Sequence, residues 1–596
     1  MSFSEVPEVS HNGSSVSDSE LDVMRHSAAH ILAKAVQQLY PGSKLGIGPV
    51  IENGFYYDID VPSRLSEEDL PRIEAAMHAI VDAAEPFKRE EWTREHALQH
   101  YAVDDDNPYK REIIEGLAED EPISFYWTGP DWVDLCRGPH VTNSSQLKAF
   151  KLTNVAGAYW RGDEHRPMLQ RIYGTAWQTQ DQLEHYLEQV EDAKRRDHRR
   201  IGKEMGLFMF SDLVGPGLPL WLPKGATIRR ELERWVTDLE LQRGYQHVIT
   251  PDVAKVEMYK VSGHWAHYQE AMFPVMHAGD EELVLRPMNC PHHIQIYQNE
   301  QRSYRELPMR IAEFGTMWRY EKSGELSGLS RVRRMDLNDA HIFCTPDQIL
   351  DEIVGVVELI EDVYRVLGIT DHWYRLSLWD PNDKEKYVDN PEMWERGERY
   401  LKEAMARLGL DYVEAPGEAA FYGPKIDIQL RDPLGHSETI STIQVDFHLP
   451  NQFQLEYVGD DGQFHRPVMI HRGVIGTLVR MIAYLIEKYG GAFPLWLAPV
   501  QAVVIPIADR HMDYAGTVAS KLRSSGFRVE VDSRREKMQA KIRDAQGQQV
   551  PYMLVVGDRD QQGGKVSVRE RREGDLGAQP LDAFLKVMEE RRAERT

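Results

Sequence analysis

Three residues that suit a zinc ion lie in separate segments of the chain, Cys290 in RPMNCPHH (286–293), His341 in LNDAHIFC (337–344) and His471 in VMIHRGVIGTLVRM (468–481). One thiolate and two imidazoles are favoured zinc ligands, and a set of three leaves the fourth tetrahedral position to a substrate. An isolated Cys or His is more often a packed residue than a ligand, and no short metal motif joins these three. Residue types alone therefore leave both interpretations open. Cys344 lies in the apolar run HIFC and is predicted to be a core residue.

A cluster of arginines lies between the first two of these segments, in FGTMWRYEKSGELSGLSRVRRMDL (314–337). A guanidinium binds phosphate oxygens in bidentate fashion and stays charged, so these side chains suit an anion site. The Gly/Ser-rich middle predicts a loop between two strands. For any single arginine a solvated surface network is about equally consistent. Four within so short a stretch favour the anion site: Arg319, Arg331, Arg333 and Arg334.

A second constellation lies near the N-terminus. His26 and His30 are four residues apart in LDVMRHSAAHILAKAVQQLY, whose apolar spacing predicts a helix, so both rings lie on one face. WVDLCRGPHV places Cys136 and His140 at the same separation. These four side chains fit a closed zinc site or a metal-free pocket that binds and polarises a hydrolytic water. A half-buried helix face explains HSAAH alone equally well.

Composition is that of a globular protein, with 42% hydrophobic and 28% charged residues in 596. No apolar run approaches the roughly 20 residues of a membrane span, and three cysteines exclude a disulfide framework and suit a cytoplasmic protein. The net charge of −25 would not suggest a nucleic-acid partner. The charge is uneven, however, since residues 501–596 alone carry a balance of +3. Binding to RNA would depend on local basic patches.

Sequence pattern divides the chain into segments. Residues 1–20 are Ser-rich and acidic and predict a disordered tail. Residues 179–205 are highly charged with a sparse apolar stripe and predict an exposed linker helix. Long helices and β-type runs fill 206–494, and from 495 strands alternate regularly with helices, which predicts a small sheet covered by helices.

The segments that hold Cys290, Arg319 and His471 together resemble the threonyl-tRNA synthetase family of class II aminoacyl-tRNA synthetases. The resemblance spans residues 21–596 and implies an α+β multidomain fold. It comprises an α+β editing domain (21–178), the linker helix (179–205), an antiparallel-sheet class II catalytic domain with zinc (206–494) and an α/β anticodon-binding domain (495–596). The first class II signature fits RRELERWVTDLELQRGYQHVITPDV, ending near Pro251, and implies a homodimer. The first twenty residues are too few to form the small ubiquitin-like domain with which many bacterial members begin.

The resemblance also assigns roles to residues of the catalytic domain. Arg319, in MWRYE, would contact the α-phosphate of ATP and the amino-acid carboxylate, and Arg331 the far phosphates. Arg480, in GTLVRM, would lie against adenine, and Glu321 would accept a hydrogen bond from the adenine amino group. Zinc on Cys290, His341 and His471 would select threonine, because a demand for a hydroxyl ligand rejects valine far better than an apolar pocket does. The threonine pocket would be completed by Asp339 for the ammonium group, with Tyr422 and Gln444 as lining.

The outer domains receive similar assignments. The N-terminal site would hydrolyse serine wrongly attached to the tRNA, without a metal, through His26, His30, Cys136, His140, Lys110, Asp134 and Tyr57. In the C-terminal domain, Arg569 in KVSVRERR and Asp560 in GDRD would read anticodon bases.

The resemblance, with the composition, thus implies a cytoplasmic, homodimeric threonine–tRNA ligase with no membrane association. It would use ATP with Mg²⁺, L-threonine, tRNA(Thr) and one zinc per subunit. Two alternatives remain, a stand-alone aminoacyl-tRNA editing hydrolase and a non-catalytic synthetase paralogue. The first needs only the N-terminal site, whereas this chain keeps the ATP signatures at 310–334 and 471–480. The second would have lost phosphate arginines or a zinc ligand, and none is missing.

Overall fold

The computed structural model describes residues 16–163, 165–432 and 435–595, and the chain divides into two units, Met1–Glu191 and Asp192–Thr596. The first unit opens with helix α1 (Val16–Leu39), which ends just before the Pro-Gly stop at 41–42. The predicted tail therefore overlaps the start of a helix at residues 16–20, and the rest of that tail lies outside the described residues.

The first unit is built around a five-stranded antiparallel sheet of order β1-β3-β8-β7, with β2 paired to β3. Helices α1 and α2 pack on this sheet, and the small apolar residues of α1, among them Ala28, Ala29 and Leu32, are fully buried there. A second sheet, β4-β5-β6, packs against α3 and α4. The bounds are α2 Leu70–Asp82, α3 Arg94–Gln99, α4 Pro108–Gly116, β1 Lys44–Leu45, β2 Val50–Ile51, β3 Gly54–Asp60, β4 Phe87–Trp92, β5 Ile123–Thr128, β6 Val133–Leu135, β7 Ala149–Tyr159 and β8 Met168–Trp177.

The predicted single linker helix is wrong in two respects. The segment forms two helices, α5 (Gln180–Arg196) and α6 (His198–Met205), which break at Asp197, whose side chain caps α6 by accepting from the backbone N–H of Arg199. The second helix is also not an exposed connector, because its apolar face joins the core of the catalytic domain. The high charge of the stretch hid this short apolar face.

The predicted catalytic domain contains an eight-stranded sheet of order β11-β16-β17-β24-β21-β20-β18-β19. The six inner strands pair antiparallel and only the two edge strands pair parallel, as the class II prediction requires. The inner strands are β16 Met309–Trp318, β17 Arg334–Cys344, β24 Val468–Thr477, β21 Ser437–Asp446, β20 Lys425–Arg431 and β18 His372–Leu378. The Gly/Ser-rich stretch lies between β16 and β17, as predicted, and Cys344 is fully buried in the core.

Helices pack on both faces of this sheet, and smaller strands accompany them. The helices are α7 Pro223–Gln242, α8 Val256–Val261, α9 His264–Tyr268, α10 Cys290–Gln298, α11 Ile349–Val366, α12 Pro391–Leu408, α13 His448–Gln452 and α14 Leu478–Tyr489. Of these, α11 and α14 belong to one apolar cluster and α10 and α13 to another. The remaining strands are β9 Phe208–Met209, β10 Leu220–Trp221, β11 Gln246–His247, β12 Val253–Lys255, β13 Met276–Ala278, β14 Glu281–Leu285, β15 Arg302–Ser303, β19 Tyr412–Pro416, β22 Tyr457–Val458 and β23 Phe464–His465.

The C-terminal residues form the predicted α/β layer. Its sheet has the order β26-β25-β27-β28-β29, in which the first three strands are parallel and the last two antiparallel. The elements are β25 Ala502–Pro506, α15 Met512–Ser524, β26 Val529–Val531, α16 Met538–Gly547, β27 Tyr552–Val556, α17 Asp558–Gly563, β28 Lys565–Glu570, β29 Gly574–Pro580 and α18 Leu581–Glu594. Every helix in the described part of the chain is too short or too polar to cross a membrane.

Candidate functional site

The strand register brings the three proposed zinc ligands together. His341 on β17 lies directly opposite His471 on β24, and His471 lies opposite Gln444 on β21. Directly opposed residues of antiparallel strands point to the same face. Cys290 is the first residue of α10, which delivers its thiol to that face. The two imidazoles and the thiol form the metal triad, whose ligand atoms all lie within 4.8 Å of one another.

The metal triad is buried and has a free coordination atom. Burial raises the pKa of Cys290 and lowers that of His341, so without a cation both are neutral. Nε2 of His341 is buried without a hydrogen-bond partner, and an unpaired buried nitrogen is costly unless something ligates it. This nitrogen, the thiol of Cys290 and the imidazole of His471 together form a ligand set that fits zinc.

Each imidazole of the metal triad is held from behind by a polar group. His341 Nδ1 lies 2.8 Å from His293 Nδ1, and His293 Nε2 lies 3.3 Å from a carboxylate oxygen of Glu313. His471 Nε2 lies 2.7 Å from Asp446. Such partners fix the tautomer of a ligating histidine and make it a stronger donor to a metal. The backing therefore also fits a cation.

The predicted threonine-pocket residues border the metal triad. Asp339 lies two residues before His341 on β17, and burial raises the pKa of its carboxyl. Tyr422 donates a 2.6 Å hydrogen bond to Gln444, and its ring stacks on His471 at 4.9 Å. One acidic and two neutral polar side chains thus line the same face.

The three arginines predicted to contact ATP, Arg319, Arg331 and Arg480, differ in how far neighbouring acidic groups neutralise them. Arg319 forms no ion pair among the described residues, its Nε is buried without a partner, and its only side-chain hydrogen bond runs 3.6 Å to the sulfur of Met288. Arg331 instead pairs with Glu321 at 2.8 Å and Glu325 at 3.3 Å. Arg480 on α14 binds Glu438 at 3.0 Å. Arg319 is therefore the least neutralised of these cations.

In the first unit, His26, His30, Cys136 and His140 converge and form the thiol cluster, with ligand-type atoms within 4.8 Å of one another. The sulfur of Cys136 lies 3.2 Å from His26 Nε2 and 3.3 Å from His140 Nε2. Burial raises the pKa of Cys136 to about 12 and lowers that of all three histidines. The thiol cluster is therefore uncharged at neutral pH.

The thiol cluster opens onto a cavity of about 200 Å³. Lys110 and Asp134 form a buried ion pair at 2.8 Å in its wall, and Tyr57 donates a hydrogen bond to Asp134. The lining includes two residues of the thiol-cluster helix, Cys136, and these three polar groups. All seven residues predicted for the N-terminal site thus lie around one place.

The predicted anticodon residues are already engaged within their domain. Arg569 lies 3.2 Å from Asp575. The two oxygens of Asp560 accept from the backbone N–H of Gly557 and from the hydroxyl of Ser567, each at 3.0 Å. The carboxylate of Asp560 therefore stabilises the start of α17.

Comparison with known proteins identifies each region. A model of the class II tRNA synthetase core domain (G, H, P, S and T) matches residues 273–489, an anticodon-binding domain matches 501–591, and the second additional domain of threonyl and alanyl tRNA synthetases matches 123–173. A threonine–tRNA ligase of Anoxybacillus flavithermus is 57% identical over 95% of this chain and 88% of its own length. Threonine–tRNA ligase 1 of Bacillus subtilis is 54% identical over 96% and 88%. The chain belongs to the threonyl-tRNA synthetase family.

Solved structures of this family share the fold. The RNA-binding domain of threonyl-tRNA synthetase from Cryptosporidium parvum is 38% identical and superimposes with a TM-score of 0.63, covering 66% of this chain and 98% of that one. A putative threonyl-tRNA synthetase of Aeropyrum pernix is 29% identical with a TM-score of 0.60, covering 67% and 96%. The class II α+β architecture and the ligase class predicted from the sequence are thereby confirmed.

Sequence reasoning missed the residues that support the metal triad. His293 lies one helical turn after Cys290, and Asp446 lies two residues after Gln444, on the same face of β21. Both spacings were visible in the sequence. Glu313 gave no such signal, because only the pairing of β16 with β17 brings it to this place.

Proposed function

We propose that this chain, a class II threonine–tRNA ligase, selects threonine at a zinc ion held by Cys290, His341 and His471. The observation that carries the proposal is the unpartnered, buried Nε2 of His341 within 4.8 Å of the other two ligand atoms. When bound, zinc would supply a Lewis acid that can expand to five ligands and so accept both an amino and a hydroxyl group of the substrate. One such ion per subunit, together with ATP and its Mg²⁺, makes up the cofactors.

The residues around the metal triad orient threonine. Asp339 is acidic and close to His341, its carboxylate 3.9 Å from the ring, and would accept a hydrogen bond from the amino group of the substrate. Tyr422 and Gln444, tied to each other by a hydrogen bond, form a polar wall beside His471. Valine lacks the second polar group, so it would leave these buried groups unpaired and bind far more weakly.

ATP would bind along the arginines. Arg319 lacks an ionic partner and would place its fork on the α-phosphate and the threonine carboxylate, where charge accumulates as the adenylate forms. Arg331 would exchange its contact with Glu321 for the far phosphates, which frees Glu321 for the adenine amino group. Arg480 would cover adenine. Pyrophosphate would leave as the adenylate forms, and a hydroxyl of the terminal ribose of tRNA(Thr) would then take the threonyl group and release AMP.

The N-terminal unit would correct errors. Serine also carries a β-hydroxyl, so it satisfies the same demand as threonine at the metal triad, and a second site is needed. The cavity at the thiol cluster accommodates a small ester, with neutral imidazoles to bind and polarise water and without a metal. Tyr57, Lys110 and Asp134 would orient the seryl end of the tRNA.

The C-terminal domain would bind the anticodon, with Arg569 as the side chain that reads a base. Asp560 would act less directly, since its carboxylate is held by Gly557 and Ser567. We propose the domain limits 21–178, 179–205, 206–494 and 495–596, with the first moved back to residue 16, where α1 begins.

We further propose a cytoplasmic homodimer. The proposal rests on the resemblance of the segment ending near Pro251 to the first class II signature, and within that segment Ile249 is 97% exposed and available to a partner subunit. All three cysteines are free thiols, which suits a reducing compartment.

Threonine-dependent ATP–pyrophosphate exchange tests the central proposal. The purified protein should exchange with threonine, not with valine, and contain one zinc per chain. A stand-alone hydrolase would deacylate seryl-tRNA without any exchange, and a non-catalytic paralogue would do neither. Exchange by zinc-free protein at the full rate would contradict the proposed role of the metal.

A further inference from the structure

His198, the first residue of α6, bridges two parts of the catalytic domain that are distant in sequence. Its ring is buried, Nε2 lies 3.0 Å from the backbone nitrogen of Leu329, and Nδ1 lies 2.7 Å from a carboxylate oxygen of Glu487. Leu329 belongs to the loop between β16 and β17, and Glu487 belongs to α14. One imidazole thus ties that loop to that helix.

The two hydrogen bonds fix the tautomer of His198. A backbone N–H can only donate, so Nε2 must carry the lone pair, and Nδ1 must carry the hydrogen that it donates to Glu487. Asp197 lies close enough to His198 and Glu487 for the three to form a metal site, but both of its carboxylate oxygens bind Arg199. With both ring nitrogens engaged, the imidazole is a structural bridge.

The bridge fits the loop closely. Gly328 adopts φ +46°, and a side chain there would approach His198 Nε2 to 2.2 Å, so the loop backbone rests directly on the ring. Ser330, which follows Leu329, accepts a 3.2 Å hydrogen bond from Nε of Arg480 at its backbone carbonyl. His198 and Arg480 therefore hold consecutive residues of one loop, and Arg331 follows immediately.

We propose that His198 is a positioning residue for ATP, which sets the loop at 326–331 against α14 so that Arg331 and Arg480 meet the nucleotide together. This inference rests on the proposed ATP roles of those two arginines. It assigns a task to the helix that follows the break at Asp197: α6 closes the nucleotide half of the site and leaves the metal triad untouched.

Four variants separate the two hydrogen bonds. His198→Ala removes both. His198→Gln places an amide oxygen near the former Nε2 and keeps the bond from Leu329, whereas His198→Asn reaches only the Nδ1 position and keeps the contact with Glu487. The matched control is His511→Ala, because His511 is equally buried and also joins a backbone N–H (Ala508, 3.2 Å) to a carboxylate (Asp558, 3.0 Å), but in the C-terminal domain.

The measurement is ATP–pyrophosphate exchange, which needs no tRNA, with KM determined separately for ATP and threonine. We expect His198→Ala and His198→Asn to raise KM for ATP about fivefold to tenfold, as loss of one ordering hydrogen bond implies, with KM for threonine within about twofold. His198→Gln and His511→Ala should stay within about twofold of the parent for both substrates.

Arg480→Ala distinguishes failure of the inference about His198 from failure of the proposed ATP site. If it raises KM for ATP while His198→Ala does not, the inference about His198 is overturned and the ATP site stands. If neither changes KM for ATP, the proposed role of Arg480 fails as well. Equal effects of His198→Ala on both substrates would reduce His198 to a packing residue. Should His198→Ala misfold, the comparison of His198→Gln with His198→Asn tests the proposal instead. Equal KM values for ATP in those two variants would overturn it.

Discussion

The metal triad and the thiol cluster are built from the same residue types but differ in what stands behind their histidines. In the metal triad, His471 contacts a carboxylate directly, and His341 contacts Glu313 through His293. In the thiol cluster, His26 donates to the carbonyl of Pro139 at 3.2 Å and His140 to the hydroxyl of Ser27 at 3.1 Å. Acidic groups support the first pair of imidazoles and neutral groups the second.

This difference in the groups behind the histidines fits the two chemistries that we propose. A carboxylate behind an imidazole offsets part of the charge of a bound cation and strengthens the ligand. A carbonyl or hydroxyl fixes the ring without adding charge, which leaves a neutral pocket suited to polarising water. The types and spacing of Cys and His therefore do not by themselves distinguish a metal site from a hydrolytic site, and we propose that the charge of the groups one hydrogen bond further away contributes to the difference.

Removing a ligand of the metal triad should have the largest effect. His471→Ala takes away one of three ligands and the partner of Asp446, so zinc content should fall and threonine activation should drop on the order of 10³-fold or more. Hydrolysis of seryl-tRNA should remain measurable. Metal analysis and pyrophosphate exchange check the first two statements, and deacylation of preformed seryl-tRNA checks the third. Activation that survives in zinc-free variant protein would contradict the assignment.

Removing the sulfur of the thiol cluster should affect only the hydrolysis of seryl-tRNA. Cys136→Ala removes the sulfur that lies between His26 and His140, and deacylation of seryl-tRNA should slow on the order of 10²-fold. Threonine activation and zinc content should match the parent. Accumulation of seryl-tRNA in a charging assay with serine gives the readout, and Cys344→Ala, a buried thiol elsewhere, is the control. Equal misacylation by mutant and parent would remove Cys136 from the proposed site.

Much of the architecture could be predicted because the deciding signals are local. The helix of His26 and His30 ends at a Pro-Gly stop, and the alternation after residue 495 yields the observed C-terminal layer. The prediction of an exposed linker helix failed because the high charge of the segment outweighed its few apolar positions. The contacts of α6 also depend on α14, a helix almost 300 residues away. A local pattern cannot report such a contact.

The sites show the same limit. The roles of Cys290, His341 and His471 came from family resemblance, because no spacing rule spans two strands and a helix. The register that sets His341 opposite His471 is a property of the whole sheet. Glu313 and His198 were invisible for the same reason, although both engage residues of predicted segments.

An intermediate effect should follow from changing the backing of the metal triad alone. His293→Leu leaves all three ligands but removes the acceptor for Nδ1–H of His341, so zinc affinity should fall roughly 10- to 100-fold. His293→Asn keeps an acceptor near the former Nδ1 and should lose less. Competition with a chromogenic chelator measures both. Unchanged affinity in His293→Leu would show that acidic backing is not what distinguishes the two sites.

The smallest effect that we predict is the pH dependence of seryl-tRNA deacylation, which should be weak because the thiol cluster is neutral. Burial lowers the pKa of His26, His30 and His140 below 6.5, and raises that of Cys136 to about 12. The neutral imidazole is the form present above a lowered pKa, so it persists at pH 6 and is lost only further into acid. Deacylation of seryl-tRNA, corrected for the protein-free rate at each pH, should thus change less than about twofold between pH 8 and pH 6, whereas a histidine of ordinary pKa would lose about fourfold. A decline centred near pH 6.5 would mean that the catalytic imidazole is solvated, and the contrast with the metal triad would then rest on geometry alone.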